Sequence, residues 1–273
     1  MRGIVHSTAV VFATAFFGQA AFAADFPVKA QMAPAMAPLY NWTGLYLGVN
    51  AGWAGSRNSL STTVDPASNM NATARTAITN AGNAQVDSDG FIGGAQVGYN
   101  WQVNPSWLLG FEADIDYLSN KATRDTNNVV EPASGRVVHS IDEIRYDWLA
   151  TVRARAGFTA NRLLVYVTGG LALTQINISK SFSWDFIDGC PLLGGLNNCH
   201  VGVNNQTRAG WTLGGGLEYA VANNWSIKAE YLYADFGSVS YRTTNIGIGP
   251  SQTADHSVKS QLHVLRVGLN YKF

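Results

Sequence analysis

Few side chains in this 273-residue chain could form a catalytic site. His263 lies near Ser257 and Ser260, and a hydrogen-bonded Ser–His pair is a common nucleophilic unit. On a strand, Ser260 would point to the face opposite His263, because the two residues are three positions apart. Ser257 lies six positions away, roughly 20 Å along an extended chain. We therefore predict that the chain is not an enzyme.

Cysteines and glycines offer little cofactor chemistry. Cys190 and Cys199 are the only cysteines, and their spacing matches no zinc motif. They share one predicted loop of an exported chain, so we predict that they form a disulfide in an oxidising compartment. Gly214–Gly216 is followed by neither a P-loop Lys-Ser/Thr nor a helix, which argues against a phosphate loop. We expect no metal and no cofactor.

Charged residues placed between apolar ones are the main candidates for a site. Their positions suggest that Glu112 and Asp114 come level with Arg153 and Arg155 on a neighbouring strand. Counting residues from the predicted turns also brings Glu218 level with Lys228, and Glu230 near Arg266. The predicted interior charge network is Glu112, Asp114, Arg153, Arg155, Glu218, Lys228, Glu230 and Arg266. Unpaired charges in a narrow space are strongly penalised, so we predict mutual neutralisation, with an ion pathway or proton relay as the alternative.

Alternating segments must position these charges. At the C-terminus Val267, Leu269, Tyr271 and Phe273 share one face, and polar residues take the other. Eight such segments exceed the 9–11 residues of a tilted membrane strand: 42–54, 90–103, 106–118, 144–159, 162–179, 208–222, 225–242 and 260–273. Only a closed sheet satisfies its backbone in lipid. The pattern predicts an all-β, eight-stranded antiparallel up-and-down transmembrane β-barrel with an interior filled by side chains.

The connections alternate between short and long. Tight-turn residues occupy 104–106, 160–161 and 223–224, whereas residues 55–89, 119–143, 180–207 and 243–259 form longer connections. Bacterial outer-membrane barrels have short periplasmic turns and long external loops. We predict three periplasmic turns, four external loops and both termini in the periplasm.

Aromatic residues gather at the ends of the predicted strands. Amphipathic rings favour the headgroup depth of a bilayer. The predicted girdle at the periplasmic ends is Trp42, Trp101, Trp107, Trp225, Tyr271 and Phe273, and Trp53, Trp148 and Trp211 lie near the external ends. The core of a soluble sandwich, the alternative, would not sort its aromatic residues to both ends of every hairpin.

The N-terminus resembles a targeting segment. Arg2, an apolar stretch over Val10–Phe17 and the Ala21-Phe22-Ala23 site predict a signal peptide over residues 1–23. Residues 24–41 are rich in Ala and Pro and predict a periplasmic linker, which leaves 42–273 for the barrel domain. The zero net charge and the absence of a basic stripe argue against a nucleic-acid partner.

Several motifs resemble the small outer-membrane immunogenic protein family, whose members are often labelled porin-family. They are Trp42–Gly48, Gly94–Gln102, Tyr166–Ala172, Gly210–Tyr219 and Glu230–Tyr233. The resemblance implies an abundant surface barrel of a Gram-negative bacterium that supports the envelope and is seen by host immunity as a surface antigen. The ending Gly268-x-x-Tyr271-x-Phe273 resembles the signal read by the barrel-insertion machinery. Some relatives are described as haemin-binding.

Two alternatives stand beside the structural role. A narrow pore is one, and uptake of haemin or another small ligand is the other. His139, His200 and His256 fall in predicted external loops, and imidazole is a common metal ligand. Outer-membrane lipid and lipopolysaccharide are the expected partners of the barrel surface.

Overall fold

The computed structural model describes residues 40–68, 70–133, 135, 137–184, 199–245 and 249–273. The predicted signal peptide, most of the predicted linker and Cys190 lie outside these residues, and the side chain of Cys199 is not described. The domain boundaries and the disulfide therefore stay predictions. In the part of the chain that is described, no helix is long and apolar enough to cross a membrane.

Eight antiparallel strands close into a barrel, which confirms the predicted fold class. They are β1 Gly44–Val64, β2 Ala84–Gln102, β3 Trp107–Val130, β4 Val137–Ala160, β5 Leu163–Trp184, β6 Cys199–Ala220, β7 Trp225–Asn245 and β8 Gly249–Lys272. Each strand pairs with the next, and β8 pairs with β1 from Tyr46↔Lys272 to Val64↔Ala254. The period-2 pattern therefore folds as a ring without free edges along most of its length.

The two ends of the barrel differ. Short connections of 103–106, 161–162 and 221–224 join strands at one end, which we call the turn end. Asn161 makes the tightest of these connections with φ of 54°, a left-handed conformation that Asn tolerates well. The opposite end, which we call the loop end, carries the connections between β1 and β2, β3 and β4, β5 and β6, and β7 and β8.

The strands reach far beyond their predicted limits at the loop end. They are 19 to 24 residues long, so the predicted long loops 55–89, 119–143, 180–207 and 243–259 are wrong in extent. The alternation continues there with its polarity reversed: Ser59, Ser61 and Thr63 face outward, while Leu60 and Val64 are buried. Because their outward residues are polar, the sequence pattern of these segments is also typical of loops.

A helix absent from the prediction occupies the first loop-end connection. Helix α1, Ala72–Gly82, begins after Asn71, whose Oδ1 accepts a hydrogen bond from the Ala74 amide at 2.7 Å. Such an N-cap satisfies a free backbone amide of the first turn. One face buries Ala77, Ile78 and Ala81 against the barrel. The helix therefore packs onto the loop end.

The barrel interior is built in layers. A cluster at the turn end contains Trp42, Leu108, Leu164, Tyr166 and Ala220. Charged side chains come next, and beyond them lies an apolar layer that includes Ile92, Leu118, Leu149, Leu232 and Val264. The exterior of the turn-end half is apolar instead, with Phe111, Val152 and Leu171 among its exposed side chains. Inside and outside thus exchange character along the barrel axis.

Bulges on β4 and β7 are among the register shifts that change which residues face inward. On β4 the register with β5 shifts between Tyr146 and Leu149. On β7 it shifts between Asp235 and Ser238, where Gly237 has φ of 66°. Phe236 and Val239 are both buried as a result, because the bulge inserts one residue into the alternation.

Candidate functional site

All eight residues of the predicted charge network lie inside the barrel, and each is at most 6% exposed. The register places Glu112 opposite Arg153, Glu218 opposite Lys228, and Glu230 opposite Arg266. Inward positions on β3, β4, β6, β7 and β8 supply the eight side chains. The period-2 rule therefore brings them to one interior space.

Arg153 is the centre of one half of the network. Its Nη2 lies 2.5 Å from Glu112 Oε1 and 2.7 Å from Asp114 Oδ2, and its Nη1 lies 3.0 Å from Glu230 Oε1. Its Nε donates to Thr151 Oγ1 at 2.9 Å. One guanidinium thus holds three carboxylates from two strands.

Arg266 is the centre of the other half. Its Nη2 lies 3.0 Å from Asp114 Oδ2 and 2.7 Å from Glu230 Oε2, and its Nη1 lies 2.6 Å from Asp116 Oδ2. Asp116 is a ninth member that the predicted set omitted, although it continues the inward alternation of Glu112 and Asp114. Four cations therefore meet five carboxylates.

One predicted alignment is wrong, and another is right in register although its two side chains bind other partners. Arg155 is level with Gly110 rather than Asp114, and its Nη2 lies 2.8 Å from Glu218 Oε2. Lys228 is opposite Glu218 in register, but its Nζ lies 2.7 Å from Glu112 Oε1. Long cationic side chains cross the narrow lumen, so partners come from distant strands as well as from neighbours.

Uncharged groups complete the network. The Tyr46 hydroxyl donates to Glu112 Oε2 at 2.7 Å and accepts from Arg155 Nη1 at 2.9 Å. The Tyr166 hydroxyl donates to Glu230 Oε1 at 2.9 Å, and the Arg155 guanidinium lies 4.0 Å from the centre of the Tyr166 ring. Both tyrosines lie at inward positions of their strands, which was the available sequence signal. Their role as hydrogen-bond donors could be recognised only from the contacts across the lumen.

Two glycines leave space for the backbones of the strands that carry the central arginines. A Cβ at Gly170 would overlap the backbone at Val152 and Arg153, and one at Gly52 would overlap Leu265 and Arg266. Both glycines face inward beside an arginine. The charged side chains of the network are thus paired with one another inside the barrel.

Five of the six predicted girdle residues lie on the outer surface at the turn end. Trp101, Trp107, Trp225, Tyr271 and Phe273 are exposed, and Trp225 stacks edge-on against Tyr271 with ring centres 5.0 Å apart. The girdle prediction is wrong for Trp42, because only 2% of its surface is exposed. It precedes β1, and its Nε1 donates to the Asn161 carbonyl at 3.0 Å inside the turn end.

A second buried polar group lies beneath α1. Lys180 Nζ contacts Asp142, and Arg124 Nη1 lies 3.3 Å from the same carboxylate. Arg124 also donates to the Ala81 carbonyl of α1 at 2.9 Å. Burial lowers the pKa of Lys180, and the adjacent Asp142 carboxylate opposes that shift. The group ties the helix to the barrel wall.

Two of the three predicted loop histidines lie inside the barrel wall. His139 and His256 are buried on β4 and β8, so their predicted position in external loops is wrong, and the side chain of His200 is not described. His256 lies between the hydroxyls of Thr62 and Thr243, at 2.8 and 2.9 Å. Among the described residues, no three His, Cys, Asp or Glu side chains form a metal-binding group. Haemin binding stays a prediction.

The chain is similar to known outer-membrane proteins. The family model for the outer membrane protein beta-barrel domain matches residues 9–273. The 31 kDa outer-membrane immunogenic protein of Brucella melitensis is 37% identical over 273 residues, covering 99% of this chain and 98% of that protein. The 25 kDa outer-membrane immunogenic protein of Brucella abortus is 26% identical over 262 residues, covering 94% of this chain and 92% of that protein. Neisserial surface protein A, a solved structure, is 18% identical with a TM-score of 0.36, covering 85% of this chain and 98% of that one.

Proposed function

This chain belongs to the outer-membrane β-barrel family, and we propose that it is a sealed structural barrel that supports the envelope and presents its loop end outside the cell. The observation that carries this proposal is the layered interior. The charged layer, the apolar layer and α1 follow one another along the axis.

The two ends of the barrel support a proposed orientation in the membrane. Short turns and an exposed aromatic girdle mark the turn end, which suits a periplasmic rim with the N-terminal signal peptide removed before insertion. Phe273 is exposed at this rim, where the barrel-insertion machinery would read it. The loop end then extends above the outer leaflet, because its outward side chains are polar.

The apolar layer is the argument for sealing. Ions crossing the barrel would leave the charged layer and pass between Leu118, Leu149 and Val264, each at most 2% exposed. Packed apolar side chains offer an ion no replacement for its hydration. Eight-stranded barrels are narrow enough for side chains to fill them, whereas porins with water-filled channels use about 16 strands.

Envelope support is tested in cells that lack the chain. We expect them to become more sensitive to detergents and to leak periplasmic enzymes, and the wild-type chain to restore both properties. An intact envelope together with slower uptake of a small solute would contradict the structural role.

A narrow pore is the second candidate, and charged side chains at membrane depth are the observation in its favour. It requires a continuous water path through the apolar layer and past α1. Conductance of the purified barrel in a planar bilayer separates the two functions.

A further inference from the structure

We propose that the barrel wall between β6 and β7, at the loop end, docks an extended acidic peptide segment of another protein as an added strand. The inference goes beyond the sealed structural role, and the proposed orientation puts this site outside the cell. Two independent observations carry it. One is a stretch of wall without ladder pairing, and the other is an arginine in that stretch without an acidic partner.

The ladder between β6 and β7 is interrupted over its upper part. Pairing runs from Ala220↔Ser226 to Trp211↔Asp235 and resumes only at Val201↔Thr244. Between these pairs lie 202–210 of β6 and 236–243 of β7, which the structure describes throughout and which we call the β6–β7 seam. Trp211 is exposed at the outer edge of the apolar surface, so the seam begins where the wall leaves the membrane. Each side of the seam is as long as an ordinary strand.

The two strands cross the seam by paths of different length. From the lower pair to the upper pair β6 takes ten residue steps and β7 takes nine, and the β7 bulge at Gly237 lies within those nine. On their other sides both strands keep their neighbours, because β6 follows β5 in an unbroken register and β7 pairs with β8 before and after its bulge. The two facing edges therefore stay in the wall but do not match one another.

A side chain takes the place of backbone pairing within the seam. Arg208 Nη2 donates to the Ser238 carbonyl at 2.5 Å, where a regular ladder would use a backbone amide. The inward residues of β6 in the seam, Asn204, Gln206 and Arg208, are only half-buried. Inward residues at the same height on β1 and β8, such as Leu60 and Val258, are buried. Solvent therefore reaches the β6 edge, and unpaired strand edges are templates for pairing with another chain.

The charge of Arg208 is not balanced inside the seam. Arg208 forms no ion pair with the residues that the structure describes, and its Nε is buried without a hydrogen-bond partner among them. Asp235, the acid at the lower end of the seam, accepts hydrogen bonds from the Gly237 amide at 2.8 Å and from Gln261 Nε2 at 2.9 Å. A partly buried guanidinium without a carboxylate is unfavourable, so the seam favours a ligand that supplies one.

An extended acidic peptide satisfies both features. Added strands bind sheet edges through main-chain hydrogen bonds, and pockets beside the edge select their side chains. Two open grooves flank the seam on the outer wall. One has a volume of about 140 Å³ and includes Val203 and Asn205 of β6, and the other has a volume of about 450 Å³ and includes Ser240 and Arg242 of β7. An inward acidic side chain of the peptide would meet Arg208 through charge-assisted hydrogen bonds.

Peptide binding to the purified barrel in detergent tests the site. The probe is a capped, fluorescein-labelled peptide of about ten residues that alternates Thr and Val, with one central Thr replaced by Glu, a length that matches the seam. Binding is followed by fluorescence anisotropy. We expect saturable binding by the wild type and at least about 10-fold weaker binding by R208Q, because hydrogen bonds between charged groups are among the stronger ones in proteins.

The matched control is R57Q. Arg57 is an exposed arginine of the loop end, but its strand is paired on both sides, with Asp87 of β2 and Gln261 of β8. R57Q should bind the Glu peptide like the wild type. Heat-dependent gel migration verifies that each variant is folded.

Three further ligands separate the two features of the site. A Gln peptide should bind the wild type and R208Q equally, and at least about 10-fold more weakly than the Glu peptide binds the wild type. This comparison needs only the wild type if R208Q does not fold. A Glu peptide methylated at alternate backbone amides should not bind, since it cannot extend a ladder. Free glutamate should not compete at millimolar concentration.

Four results would overturn the proposal: no saturable binding of the Glu peptide, equal binding of the methylated peptide, competition by free glutamate, or equal losses in R208Q and R57Q. A barrel that conducts ions yet binds the Glu peptide as expected would refute only the sealed-barrel function.

Discussion

Arg153 is one of two arginines, with Arg266, that each bind three carboxylates inside the barrel. Its guanidinium bonds Glu112, Asp114 and Glu230, and no part of its side chain reaches solvent. Removing one partner of a buried ion pair leaves charges without compensation, which typically costs about 3–5 kcal/mol. The stability of the barrel should therefore depend on this residue far more than on exposed ion pairs.

We predict that R153M lowers the free energy of unfolding in detergent by about 3–5 kcal/mol. Urea titration followed by tryptophan fluorescence measures it. The control is K121A, which removes an exposed ion pair with Glu143 and should change stability little. Equal losses in the two variants would show that the interior pairs contribute no more than surface pairs.

Trp42 shows how a residue type can mislead. Amphipathic rings favour the membrane interface, but this ring is buried and its amide donates to Gln102 Oε1 at 2.9 Å. We predict that W42A costs about 3–5 kcal/mol, the usual range for a buried large aromatic residue. W101A, in which the ring is 60% exposed, should cost much less. The reverse order in the same unfolding assay would contradict the burial of Trp42.

Alternation along the chain was sufficient to predict which charges face inward, but not all of their partners. Glu230 and Arg266 pair with each other as predicted, since they are opposite on adjacent strands. Arg155 and Lys228 reach across the lumen instead, to Glu218 and Glu112. A count along neighbouring strands contains no information about the far wall of a barrel.

At the scale of elements, α1 was missed because its segment lies between turn-like residues and is rich in Asn and Thr. Local features do favour it, since Ala has the highest helix propensity and Asn71 caps the first turn. Gly82 permits the close approach of α1 to β1, because a Cβ there would overlap the Thr62 side chain.

We predict that G82V lifts α1 from the barrel. In a background with both native cysteines changed to serine, A77C should react slowly with maleimide in the parent and at least about 10-fold faster with G82V, because local opening exposes it. T76C, on the exposed face of the helix, should react fast in both. Fast labelling of A77C in the parent would mean that the helix does not cover the loop end.

The β7 bulge is a second element that period-2 reasoning passes over. Gly237 has φ of 66°, and nothing lies within 4 Å of a Cβ built there. We predict that G237A costs about 1–2 kcal/mol through conformation alone. G55A is the control, because its space is also open and its φ is ordinary, and it should be neutral or slightly stabilising. Equal destabilisation by G237A and G55A in thermal unfolding would contradict a cost that comes from the backbone conformation of Gly237.

The whole molecule is organised by an exchange of polarity along its axis. Below the outer edge marked by Trp53 and Trp211, the outside is apolar and the inside is charged; above it, the outside is polar and the inside combines an apolar layer with the buried Lys180–Asp142 pair. Eight strands and their order were predictable, because alternation and turn residues are local signals. The length of the upper barrel was not predictable, since polar residues at outward positions are also typical of loops.

Conductance of the purified protein in a planar lipid bilayer tests the sealed barrel most directly. In the proposed function the charged layer, the apolar layer and α1 close the axis in succession, so the wild type should insert without discrete current steps, while a 16-stranded porin in the same bilayer conducts. Reproducible ohmic steps from wild-type protein that is folded by gel migration would contradict the account.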